Sequence, residues 1–173
     1  LGHCAALFDE VLAVDHASTD GSSQMLAAAA RRMPLTVRRF AQQAYVQSRL
    51  VTAMAREAFA RGADWVFPLD ADEFPMVAGR EDLLARLPAG GAAVEWRWRN
   101  LWPGEVAAFA RFDAAREHEA MPPAADATRK IAISRRVPER LPDFVIGTGS
   151  HNVARLHEAA RPAGWLAHLP IRH

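Results

Sequence analysis

Short apolar runs and stretches of helical periodicity alternate along the first 75 residues of the chain. An apolar run that ends at Asp15 is typical of a strand, and the Ala-rich segment behind it, which ends at Pro34, is typical of a helix. The predicted elements are a strand at 11–14, a helix at 19–33, a strand at 35–40, a helix at 42–61 and a strand at 64–69. This order indicates an α/β domain with a mostly parallel central sheet and flanking helices.

The second half of the chain has a less regular pattern. An apolar and aromatic run at 92–99 is typical of a strand, and a proline-rich stretch at 121–126 is typical of a loop. The other predicted elements are a short helix at 80–87 and strand-like pieces at 130–134, 151–156 and 164–169. Because no linker separates the two halves, residues 1–173 are predicted to form a single domain.

Composition narrows the classes of protein to consider. Half of the 173 residues are hydrophobic and the formal net charge is +1, which fits a globular protein without a nucleic-acid partner. No apolar run approaches the roughly 18 residues of a membrane span. The single cysteine, Cys4, excludes an internal disulfide and favours a cytoplasmic location. Since the chain begins at Leu1, we expect a fragment of a longer protein, with the inner face of the membrane as an alternative location if missing segments or partners anchor it.

A cluster of acids follows the third predicted strand. Asp70 and Asp72 lie two residues apart in the sequence LDADEF, with Glu73 directly behind them. Carboxylates that repel one another are stabilised by a cation, and hard divalent ions such as Mg²⁺ and Mn²⁺ prefer oxygen ligands. The cluster therefore indicates a metal site, with a solvated acidic turn as the alternative.

A second polar junction, VDHASTDGSS, follows the first predicted strand. Backbone N–H groups at the start of the next helix can hold an anion or the polar edge of a base, with Asp15, Ser18 and Asp20 beside them. A helix cap explains Ser18 and Asp20 equally well, but it does not explain Asp15. In sheets of this class, ligands collect at the carboxyl ends of strands, where Asp15 and Asp70 both lie.

The strand at 92–99 carries aromatic and basic residues in alternation. Trp96 and Trp98 share one face, and Arg97 and Arg99 share the other. The tryptophans either pack against a helix or stack on the sugar ring of an acceptor. A single short strand of this kind is weak support for binding single-stranded nucleic acid.

These motifs, in this order, resemble glycosyltransferase family 2, which has the GT-A fold, and especially the bacterial branch that reads D..STDGS and then DWV..LDADEF. The helix sequence QSRLVTAMAREAFARGADW between them is also similar. The resemblance continues more weakly through Lys130, GSHNV and HLPIRH. It implies that a strand of the family fold precedes Leu1, so that this chain is truncated at its N-terminus.

The resemblance also implies roles for individual residues. Asp15 would face the nucleotide base, Asp70 the ribose and the metal, and Asp72 the Mn²⁺ or Mg²⁺ ion that bridges the donor diphosphate. His168, or secondly His151, would complete the metal shell. The residues implied in donor binding are Asp15, Ser18, Asp20, Arg49, Asp70 and Lys130, of which Arg49 and Lys130 would neutralise diphosphate charge.

The implied activity is inverting transfer of a sugar from a nucleotide-diphosphate donor to a glycan or lipid-linked acceptor. Inverting transfer needs a base for the acceptor hydroxyl, and Glu73, Glu95 and Asp143 are the candidates. A transferase-like module that binds nucleotide or glycan without catalysis is one alternative. A phosphohydrolase with an Asp-x-Asp nucleophile motif is another, disfavoured because Glu73 and Phe74 follow Asp72 and no later paired-acid motif supplies the metal site of that class.

Overall fold

The computed structural model describes residues 1–41, 44, 46–103, 118–120, 129–156 and 160–168. The strands are β1 (Val11–His16), β2 (Leu35–Phe40), β3 (Trp65–Val66), β4 (Glu73–Pro75), β5 (Ala93–Pro103), β6 (His118–Ala120), β7 (Arg129–Ser134) and β8 (Arg161–His168). The helices are α1 (Gly2–Leu7), α2 (Ser22–Ala30), α3 (Gln47–Ala60), α4 (Arg80–Ala85) and α5 (Arg136–Arg140), with a 3₁₀ turn at Thr148–Ser150. None of the helices in these ranges is long and apolar enough to cross a membrane.

The described strands form two sheets. In the first, β1 and β2 pair in parallel through the crossover helix α2. The second has the order β3-β7-β5-β8-β4, and β6 pairs with the far end of β5. The predicted α/β class, with a parallel sheet and flanking helices, is confirmed. The expectation of a mostly parallel sheet does not hold for the larger sheet, where β5–β8 is parallel and the other pairs are antiparallel.

Most of the predicted elements of the first half are present. The strand at 35–40 is confirmed at both ends, and the helices at 19–33 and 42–61 appear as the shorter α2 and α3. The strand at 64–69 is reduced to two residues, because Pro68 has no N–H for a ladder and the acidic turn follows.

The second half departs further from the prediction. The piece at 151–156 is not a strand, since only Val153 makes a bridge, to Ile146. The strands β4 and β6 and the helix α5 were not predicted, and the predicted loop at 121–126 lies outside the described residues. Pro138 obscured α5, although proline is tolerated in the first turn of a helix.

Side chains of the larger sheet alternate between two hydrophobic clusters. On one face, Ile131 and Ile133 pack with Ala55 of α3. On the other face, Trp96 of β5 packs with Leu7 of α1 and with α4, and it is 1% exposed. Trp96 therefore follows the first of the two alternatives given for the tryptophans, packing in the core, rather than stacking on an acceptor.

The topology gathers several strand ends at one edge. Because β7 is antiparallel to β3 and β5, its N-terminal end points in the same direction as the carboxyl ends of those two strands and of the parallel β8. Lys130 of β7 pairs with Trp96 of β5, beyond the end of β3. Asp70 beyond β3, Trp98 of β5 and Lys130 of β7 are thereby brought to the same end of the sheet.

Candidate functional site

A tight turn, residues 70–73, connects β3 to β4 and is called the carboxylate turn below. The Glu73 amide donates to the Asp70 carbonyl at 3.1 Å, and the Glu73 carboxylate accepts from the Asp70 amide at 2.8 Å. These two reciprocal hydrogen bonds close the turn. Asp72 lies between them and is half-buried. The turn thus fixes the backbone from which both aspartates project.

The positive group among the acids is Lys130. Its Nζ lies 2.6 Å from Asp70 Oδ2 and 3.2 Å from Glu73 Oε1, and its side chain is 2% exposed. Hydrogen-bond geometry is met toward Asp70, whereas Glu73 Oε1 has no hydrogen-bond partner among the described residues. A buried ammonium of this kind compensates the charge of clustered carboxylates at the sheet edge.

Burial dominates the chemistry of Glu73. Its side chain is fully buried, and loss of solvation raises the pKa of its carboxyl to about 7, against the opposing effects of the Asp70 amide and Lys130. Since both Glu73 oxygens lie inside the turn, this predicted base candidate is placed to hold Asp70 and Lys130 rather than to meet an acceptor hydroxyl.

Gln47, the first residue of α3, connects the carboxylate turn to the segment before His151. Its Nε2 donates to Asp70 Oδ1 at 3.3 Å, and its Oε1 accepts from the Gly149 amide at 3.1 Å. The two contacts together fix the orientation of the amide. Gln47 was not predicted as a site residue, because a glutamine at a helix start carries no sequence signal for a site.

An aromatic contact lines the other side of Lys130. Its Nζ lies 5.7 Å from the centroid of the Trp98 ring, and that ring meets the His151 ring edge-on with centroids 6.1 Å apart. His151 is exposed, and its Nδ1 hydrogen-bonds the Arg129 carbonyl. Gly149 takes a φ of 71°, and a Cβ there would overlap the His151 ring. His151, the second metal-ligand candidate, and Trp98, the second acceptor candidate, therefore both lie close to Lys130.

The loop after β1 forms a second polar site. Asp15 is 3% exposed, and its carboxylate accepts hydrogen bonds from the Ser18 amide at 3.1 Å and from the Ser23 hydroxyl. These hydrogen bonds hold the pKa of Asp15 below its ordinary value. Asp20 accepts from the Ser22 amide at 3.1 Å, and hydrogen bonding from Ser22 likewise lowers the pKa of Asp20. The N-cap residue of α2 is Gly21, so Asp20 lies one position before the cap.

The other two base candidates lie beside arginines, and Arg49 lies on α3. Glu95 faces the opposite side of β5 from Trp96 and pairs with Arg129 at 3.3 Å. Asp143 is 81% exposed, 3.9 Å from Arg155. Arg49 is exposed on α3.

For His168, the remaining metal-ligand candidate, the structure describes the backbone position in β8. It stands opposite Glu73 in the β4–β8 pair and opposite Asn100 in the β5–β8 pair, while its side chain lies outside the described part of the chain. Position 168 is thus adjacent to the carboxylate turn in the sheet.

The oxygens of the turn suit a hard cation. Asp70 is 42% exposed, and each carboxylate oxygen has two lone pairs, so the contacts from Lys130 and Gln47 leave acceptor capacity. Across the ranges that the structure describes, no three His, Cys, Asp or Glu side chains group closely enough to hold a metal by themselves. Carboxylate oxygens are ligands that Mg²⁺ and Mn²⁺ prefer, and an ion at this turn would need its other ligands from substrate phosphates and water.

Comparison of the chain with family models, with curated proteins and with solved structures gave no match in any of the three. The assignment of a function accordingly depends on the residues and geometry of the two polar sites.

Proposed function

We propose that the chain is a metal-dependent, inverting glycosyltransferase of family 2 with the GT-A fold, which transfers a sugar from a nucleotide-diphosphate donor to a glycan or lipid-linked acceptor. The observation that supports this proposal best is the carboxylate turn, where Asp70 projects beside the buried Lys130 at the end of β3. Ligand sites of α/β sheets lie at such strand ends.

In this proposal the loop after β1 receives the nucleotide. Asp15 is buried and anionic, and its hydrogen bonds from Ser18 and Ser23 fix its carboxylate at the strand end. A carboxylate held in this way is suited to accept hydrogen bonds from the N–H groups of a base. Asp20 accepts from the Ser22 amide at the start of α2 and so shapes the same loop.

Asp70 and Asp72 would hold the divalent ion, with His168 as a third protein ligand and His151 as the alternative. The bound ion would supply a Lewis acid for the diphosphate oxygens. Lys130 keeps its ammonium in a fixed, desolvated position, and Arg49 is exposed on the neighbouring helix. Both cations would stabilise the negative charge that develops on the departing nucleotide, without reorganisation during the reaction.

Removal of the acceptor proton requires a general base. Glu73 lies inside the turn, so we assign it a positioning role toward Asp70 and Lys130. Glu95 and Asp143 stay as candidate bases, although neither contacts the carboxylate turn in the described part of the chain.

A binding module without catalysis is a second candidate, since Lys130 already neutralises Asp70 and Glu73 in the way that a purely structural site would. Turnover separates the two candidates. Purified protein is mixed with a panel of nucleotide sugars and Mn²⁺, and release of nucleoside diphosphate is measured with and without added glycan or lipid-linked acceptors.

Under the transferase proposal, Asp72→Asn abolishes the Mn²⁺-dependent release. Asp64→Asn, which removes an 81% exposed carboxylate just before β3, serves as the matched control and leaves it unchanged. Nucleotide binding without release would support the binding module instead. A phosphorylated Asp70 trapped during release of inorganic phosphate would refute both candidates in favour of a phosphohydrolase.

A further inference from the structure

An open cleft of about 730 Å³ lies between α3 and the segment 145–148, beside the carboxylate turn. Its described lining combines the apolar side chains of Val46 and Val145 with the guanidinium groups of Arg49 and Arg56. None of the described lining residues is acidic. The volume falls within the range of small-molecule sites, about 300–1,000 Å³. The cleft therefore offers a ligand two cations and no competing carboxylate.

The two arginines present their charge on one face of α3. They are seven residues apart, which places them two helical turns, roughly 10 Å, along the axis. Arg56 donates to the Phe144 carbonyl at 2.9 Å and lies 5.4 Å from the centroid of the Phe144 ring, so its guanidinium is held in place with further N–H groups available. Arg49 makes no hydrogen bond or ion pair with any residue that the structure describes. By contrast, Arg38 of β2 pairs with Glu57.

Hydrogen bonds join the two walls of the cleft, which are α3 and the segment 145–148. The Ile146 amide donates to the buried Thr52 hydroxyl at 3.0 Å, and Ser48 donates to the Ile146 carbonyl. Gln47 lines the cleft and also donates to Asp70. The two walls of the cleft are thus held together before any ligand binds. The Gln47 side chain connects the cleft to the carboxylate turn, because it lines the one and contacts Asp70 of the other.

We propose that the cleft binds a phosphate-bearing group through Arg49 and Arg56, which match phosphate oxygens with paired N–H donors. This inference rests on the proposed function, because a phosphate is carried both by the nucleotide donor and by a lipid-linked acceptor. Binding in the cleft needs no metal ion, since the guanidinium groups supply the positive charge.

Calorimetric titration with inorganic pyrophosphate in EDTA tests the cleft by itself. We expect binding by the wild-type protein, at least tenfold weakening by Arg49→Gln and a smaller loss with Arg56→Lys, which keeps the charge but not the planar fork. Arg31→Gln removes the same charge from the exposed end of α2 and leaves the affinity unchanged. Absence of binding by the wild-type protein, or an equal loss with Arg31→Gln, would overturn the inference.

Competition identifies the source of the phosphate. Displacement of pyrophosphate by UDP would assign the cleft to the donor, displacement by geranyl monophosphate would assign it to the acceptor, and displacement by neither would overturn the inference. Its failure is distinguishable from failure of the proposed transferase. Pyrophosphate binding without any Mn²⁺-dependent turnover would refute the transferase alone, and turnover without pyrophosphate binding would refute the cleft alone.

Discussion

The buried carboxyl of Glu73 makes the stability of the protein depend on pH. Burial raises its pKa from 4.5 to about 7. A carboxyl whose folded pKa is raised is more easily ionised in the unfolded chain, so stability that is present below pH 4.5 is lost as the pH rises toward the folded pKa. Between the unfolded pKa of 4.5 and the folded pKa of about 7, each pH unit lowers the free energy of unfolding by about 1.4 kcal/mol. The loss of stability between pH 5 and pH 8 is therefore about 2 to 3 kcal/mol.

The substitution Glu73→Gln removes this titration and keeps an oxygen that can accept from the Asp70 amide. The new amide lies near Lys130, which changes the free energy of unfolding by a similar amount at every pH. The pH-dependent part of the difference is therefore the informative quantity. Relative to the wild-type protein, we expect the variant to gain about 2 to 3 kcal/mol between pH 5 and pH 8.

Urea unfolding followed by tryptophan fluorescence measures this difference in EDTA-containing buffers at four pH values. Glu81→Gln is the matched control, since it removes an exposed carboxylate from α4 and the same formal charge. A difference for Glu73→Gln that stays constant across the pH range, or one that the control reproduces, would refute the role assigned to burial.

Three further substitutions test other parts of the account by urea unfolding. Thr52→Val leaves a buried backbone N–H without its acceptor and should cost about 1 to 3 kcal/mol, whereas Thr52→Ser should retain most of the stability; equal losses would contradict this. Gly164→Ala places a Cβ 2.7 Å from the Trp96 ring and should cost about 1 to 3 kcal/mol, against less than about 0.5 kcal/mol for Gly90→Ala, which meets open space. Because hydrogen bonds lower the pKa of Asp15, its contribution to stability is lost as the pH falls below about 4, and Asp15→Asn should flatten the acid side of the stability profile.

Local pattern predicted the first half of the fold well because its elements are bounded by local signals. Pro34 marks the boundary between a helix and the strand that begins at Leu35, so both ends of the strand at 35–40 were predicted correctly, although the helix already ends at Ala30. Strand β4 is different, since its three residues become a strand only by pairing with β8, about 90 residues later in the chain. Strand direction was also hidden, because an apolar run does not specify whether its neighbour is parallel.

The candidate site was likewise predictable where it depends on neighbouring residues and not where it depends on contacts between distant parts of the chain. Clustered acids at a strand end predicted a metal site, which stays a prediction, and the structure adds the ammonium of Lys130 beside Asp70, 60 residues further along the chain. Spacing along the chain could not reveal that contact, or the one from Gln47, because both depend on how α3 and β7 meet the carboxylate turn. The burial of Glu73 was equally invisible from its position in the sequence.

The most direct test of the proposed donor site is calorimetric titration of UDP and GDP into the protein with and without Mn²⁺, in parallel with Asp72→Ala and the control Asp64→Ala. The account predicts that Mn²⁺ strengthens the binding of one nucleotide, and that this gain is lost in Asp72→Ala and retained in Asp64→Ala. An affinity that is the same with and without Mn²⁺, a Mn²⁺-dependent gain that survives Asp72→Ala, or the absence of binding by the wild-type protein with Mn²⁺ present would contradict the assignment of the carboxylate turn as a metal-dependent donor site.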